Sequence, residues 1–156
     1  MNVIKNVILL TAIVGSSVHA GEAPWGTAKV HEMEYSPSKV VYDVSVNSKD
    51  ELSGVLDRAS YLNNIYHANP FETSIVLVMH GNGIPLMATE NYDKNKELVT
   101  RAQSLTVGGT ISIRMCEVAA KGHGFEPKDI HGFVEVVPMA DAEIVRLQNE
   151  GYAYMQ

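Results

Sequence analysis

The chain has 156 residues, a formal net charge of −6 at pH 7 and a single cysteine. No basic stripe is visible, which argues against nucleic acid as a partner, and one cysteine rules out an intramolecular disulfide. The length suits one domain with a sizeable core.

Residues 1–20 read as a secretory signal and not as part of the fold. Lys5 supplies a positive n-region, and Val7 to Val14 form an apolar stretch too short to span a bilayer. Val18-His19-Ala20 leads into the cleavage position, so the mature chain is expected to begin at Gly21. Lys5 is the only charged residue removed, which moves the formal charge from −6 to −7. The alternative is an N-terminal membrane anchor, although without a cysteine near residue 20 it cannot be a lipoprotein anchor. The expected location is the periplasm or the cell exterior, with no membrane contact after cleavage. An unpaired thiol in an oxidising compartment is a liability unless it is buried or used.

Residues 21–38 read as an extended arm, with Pro24, Gly26 and Pro37 and no period. His31 and Met33 lie here on alternate positions; a solvated arm is favoured over a metal site. From Lys39 the pattern tightens. Val40 to Val46 is a strand, ended by Asn47-Ser48. Ser48 with Glu51 is a capping box, and Leu52, Val55, Leu56, Ala59, Leu62, Ile65 and Tyr66 recur at helical spacing. Asn69-Pro70 stops that helix.

Ser74 to Met79 is a continuous apolar run that suits a central parallel strand. It ends at His80-Gly81-Asn82-Gly83, a turn that needs permissive backbone. Asp93 to Leu105 is the next helix, closed by Gly108-Gly109. Ile111 to Cys116 alternates as a strand, and the short Ala-rich stretch after Cys116 starts a helix that glycine stops. Pro127 to Ile130 reads as one turn, Gly132 to Val137 as the fourth strand and Ala140 to Gly151 as the last helix. Tyr152 to Met155 is a terminal fifth strand. Strands and helices alternate, which predicts one domain with a parallel sheet and helices on both faces.

In such a sheet ligands bind beyond the carboxyl ends of the strands. His80 ends the second strand and Cys116 the third, so neighbouring strands would bring the two side chains to one edge. A histidine beside a cysteine raises the thiolate fraction, and so does a helix N-terminus. The bland alternatives are a backbone-bonded turn histidine and a small buried cysteine. Arg114 shares a face with Cys116 by the strand period and either holds an anion or pairs with a carboxylate. His123 and His131 lie in loops that could reach the same edge; alone, each reads as a surface residue. Tyr152 and Tyr154 read as packing groups.

Other chemistries lack their motifs. There is no Gly-x-Gly-x-x-Gly, Walker loop, Cys-x-x-Cys or Gly-x-Ser-x-Gly. Met79, His80, Met115 and Cys116 could form a soft site for copper, but alternation points both methionines to the opposite face. No metal site is expected.

In Val78-Met79-His80-Gly81 at a strand end, in Cys116 after the third strand and in the tail from Val137-Pro138 through Ala142 to Tyr154, the chain resembles the DsrE/DsrF-like proteins. The likeness runs from Lys39 to Met155 and is most distinctive in the tail. It implies a three-layer α/β/α sandwich with a mostly parallel five-stranded sheet over residues 39–156, assembled as a trimer or hexamer. It also implies that Cys116 accepts and donates sulfur as a persulfide. The signal peptide departs from the cytoplasmic members, whose partners an exported relative cannot use. The expected function is therefore sulfur handling outside the cytoplasm, with Cys116 as nucleophile and His80 favouring its thiolate. The partner would be a sulfur donor or acceptor protein or a small thiol. Exchange at sulfur needs no redox cofactor. The rival is a non-catalytic binding or assembly module with an inert Cys116.

Overall fold

The computed structural model describes residues 23–156; the signal sequence expected over residues 1–20 lies outside them. Residues 23–33 contain no helix or strand, and their side chains are exposed. From Lys39 the chain alternates strand and helix: β1 (Lys39–Ser45), α1 (Lys49–Ile65), β2 (Ser74–His80), α2 (Tyr92–Thr106), β3 (Ile111–Cys116), α3 (Glu117–Gly122), β4 (Val134–Val137), α4 (Ala140–Asn149) and β5 (Ala153–Met155). Two 3-10 stretches, Gly81–Met87 and Thr89–Asn91, bridge β2 and α2. A third, Pro127–Asp129, is the single turn expected there.

The sheet has five strands in the order β4-β3-β2-β1-β5, and every pairing is parallel. The first three crossovers step the sheet in one direction, and the last returns to the far side of β1. Crossovers of one hand put helices on one face while the direction holds and on the other when it reverses. Accordingly α1 and α2 pack on one face, where Leu52, Leu56, Ala59, Val99 and Ala102 join Val40, Tyr42, Ile75, Leu77, Met79, Ile113 and Met115 in one buried cluster. On the other face α4 sets Ala140, Ile144 and Leu147 against Val41, Val76, Val78 and Cys116. The result is the three-layer α/β/α sandwich. Burying each large aliphatic side chain contributes roughly 1.5–3 kcal/mol.

Some boundaries differ from the sequence reading. Ser48 caps α1 by accepting from the Glu51 amide at 3.2 Å. The Glu51 carboxylate in turn accepts from the Asn47 amide at 2.7 Å, one residue outside the expected capping box. β4 begins at Val134 and not at Gly132, because the Val134 amide bonds back to the His131 carbonyl at 2.9 Å and closes a turn first. α4 ends at Asn149, two residues before Gly151, which has a φ of +89°.

Candidate functional site

Because all the strands are parallel, their carboxyl ends share one edge. Met79 pairs with Met115 in the β2–β3 register, so His80 and Cys116 follow as neighbours. Both point to the α4 face, while Met79 and Met115 pack in the cluster beneath the opposite face. Cys116 is the N-cap residue of α3, and its side chain makes no capping bond. It is 5% exposed. His80 and Cys116 line a small open pocket of about 170 Å³, with Val118, Met139, Ala140 and Asp141 around them.

The imidazole of His80 leans toward β1. Its Nε2 lies 2.5 Å from Asp43 Oδ1, and the Tyr154 hydroxyl donates to Asp43 Oδ2 at 2.7 Å. That hydrogen bond, then burial and the carboxylate charge, raise the Tyr154 pKa above the ordinary tyrosine value. Among the described residues no hydrogen bond joins His80 to Cys116. Gly81 continues the chain with a φ of +66°, a conformation that costs glycine little. A Cβ there would lie 2.9 Å from Ser45 Oγ. His123 Nε2 pairs with the Gly81 carbonyl at 2.9 Å, so His123 does reach this edge through the turn and not through the cysteine.

The other candidates lie elsewhere. Arg114 pairs with Glu135 at 3.0 Å and with Glu143, so of its two readings the structure carries carboxylate pairing. Glu143 also receives Arg146 at 2.8 and 2.9 Å. The Arg146 bonds, with those of Arg114, hold the Glu143 carboxyl below the usual range against the opposing effect of burial. His131 is packed between Tyr92 and Phe133, with ring centroids 5.6 and 5.8 Å away, and burial pushes its pKa down. Tyr152 donates to Ser74 Oγ at 2.9 Å, a packing role as expected. Two larger depressions, about 450 and 590 Å³, lie between α1 and α2 and along α2; both are lined by Lys94, Glu97 and Arg101, and neither contains a cysteine or histidine. Among the described residues no group of three His, Cys, Asp or Glu side chains is placed to hold a metal. No helix there is long and apolar enough to cross a membrane.

Asp43 is the residue that sequence reasoning missed. Its signal was a carboxylate in the middle of a Val-rich strand, where Asp is depleted. Connecting it to His80 required the strand order.

These features define a parallel α/β/α sandwich with a cysteine and a histidine at adjacent strand ends. The DsrE/DsrF-like family model matches residues 39–156, more than half of the chain, and the protein belongs to that family. Comparison with curated proteins finds no match. Among solved structures, a protein of unknown function from Methanobacterium thermoautotrophicum is similar, with a TM-score of 0.56 and 24% identity over 76% of this chain and 97% of that one. At that identity the likeness speaks for the fold alone. Family membership points to a function related to sulfur relay.

Proposed function

We propose that this protein carries sulfane sulfur on Cys116 as a persulfide, in the periplasm or outside the cell, after removal of residues 1–20. The observation that carries the reading is the pocket shared by Cys116 and His80 at the carboxyl edge of a DsrE/DsrF-like sheet. The Cys116 thiolate attacks the outer sulfur of a donor R-S-SH. A bond forms between Sγ and that sulfur, the R-S to sulfur bond breaks, and R-SH leaves with the proton given up by Cys116. The oxidation level is conserved overall, so no redox cofactor is needed. A second thiol, on a protein or a small molecule, takes the sulfur in the reverse sense. The working form is a homo-oligomer, a trimer or hexamer, as in relatives of the family.

The test is mass spectrometry of the Cys116 peptide after exposure to a persulfide donor. A gain of about one sulfur mass that reductant removes, absent in Cys116→Ser, is the expected result. No gain in folded wild type overturns the proposal. Intact mass of the exported protein should begin at Gly21, and light scattering at micromolar concentration should give a trimer or hexamer.

The low exposure of Cys116 favours a second reading, a binding or assembly module with an inert thiol. Disulfide-reagent titration separates the two. Fast, pH-dependent labelling below pH 8 goes with an activated thiol; labelling that waits for unfolding goes with the module.

A further inference from the structure

We propose that Asp43 is a positioning residue for His80, and that Tyr154 of β5 locks Asp43 in place, so that the C-terminal strand completes the Cys116 site. The role in transfer rests on the sulfur-carrier reading above; the state of the His80 ring does not.

The strand order β2-β1-β5 sets Asp43 between His80 and Tyr154. In register, His80 pairs with Ser45 and Tyr154 with Val41. Asp43 lies two residues from each, on the same face, within diagonal reach of a long side chain. Each of its two carboxylate oxygens takes one of these partners, at 2.5 and 2.7 Å. A carboxylate in the middle of a valine-rich strand runs against strand propensity, and its side chain is only 22% exposed. Local rules broken in this way are expected at functional positions.

The chemistry follows from the inventory of donors. An ionised carboxylate only accepts, so Nε2 of His80 must carry a hydrogen in both the neutral and the charged ring. In the neutral ring Nδ1 is then the bare nitrogen, and among the described residues no hydrogen bond engages it. The Cys116 proton passes to Nδ1 through one water in the pocket the two residues share. Asp43 stabilises the imidazolium that results, and the same proton returns to the leaving thiolate R-S⁻ once the new sulfur–sulfur bond has formed. The other titratable or charged groups around His80 are Tyr154 from β5, Cys116 from β3 and Asp141 at the start of α4. His123 holds the turn, and on the same sheet face Arg114 and Glu143 are occupied with each other.

Two measurements on the full-length mature chain test this. Nitrogen NMR of the His80 ring reads the tautomer without any sulfur chemistry. Wild type should show Nε2–H when neutral, and Asp43→Asn should lose that preference. A neutral Nδ1–H ring in wild type overturns the proposal. The rate of Cys116 alkylation against pH reads the consequence. Asp43→Asn should move the profile to higher pH, about tenfold slower near neutrality, and Tyr154→Phe should move it the same way by a smaller factor. Profiles that superimpose on wild type overturn the role in transfer. If Asp43→Asn does not fold, Tyr154→Phe decides alone, because it deletes one hydroxyl from a part-exposed ring. Failure to take up sulfur in a wild type whose His80 is Nε2–H removes the carrier reading and leaves the positioning of the ring intact.

Discussion

Glu143 shows how one residue can tie a helix to the sheet. It is buried on α4 yet charged, because Arg146 on its own helix and Arg114 on β3 both bond to it. Its carboxyl is depressed in the folded state. Its stabilising contribution is therefore fully present above the unfolded value of about 4.3 and is lost as the pH falls through the lower folded value. Glu143→Gln should cost about 2 kcal/mol near pH 7, below the 3–5 kcal/mol of fully buried pairs because Arg146 is half exposed. Urea unfolding should show the gap to wild type narrowing as the pH drops below about 4. A gap unchanged in acid would mean that packing, and not charge, is lost. His80 and Cys116 were legible as neighbours at one sheet edge because each ends a strand. Asp43 was not, because its partner comes from a strand 37 residues later and the link depends on which strands are neighbours.

Among the elements, α1 was the most legible, and its cap offers a direct test. Ser48→Ala removes the side-chain acceptor for the Glu51 amide, and thermal or urea unfolding should show a loss of about 1 kcal/mol. Ser48→Gly should lose only a few tenths. The Gly81–Met87 stretch behaves differently. The sequence announced only a turn there, from Gly81 and Gly83. The chain instead winds into a 3-10 segment that fully buries Ile84 and Met87. Asn91 and Asn95 hold the Pro85 and Leu86 carbonyls at 3.1 and 3.3 Å, satisfying backbone that the segment leaves unpaired. An apolar period this short is indistinguishable from a loop until the core that receives it is known.

For the molecule as a whole, β2 is the central strand, covered on both faces, and Leu77 is 1% exposed within it. Leu77→Ala should destabilise the fold by about 2–5 kcal/mol, read by chemical denaturation with an unchanged denaturant slope. The apolar run Ser74–Met79 foretold that double burial, since only a strand with helices on both sides can be apolar at every position.

The sequence by itself determined the alternation of strands and helices, the parallel sheet and the faces on which Met79 and Cys116 point. These are local properties, set by side-chain period, caps and glycine stops. It also placed His80 and Cys116 at strand ends and carried the family likeness confirmed over residues 39–156. Tertiary structure alone decided that β5 lies beside β1, that Asp43 meets His80 and Tyr154 there, and that Arg114 is committed to Glu143. The side-chain contacts among these join residues 29 to 111 positions apart. No local pattern encodes them, because they exist only once strand order and register have brought separate stretches of chain onto one face.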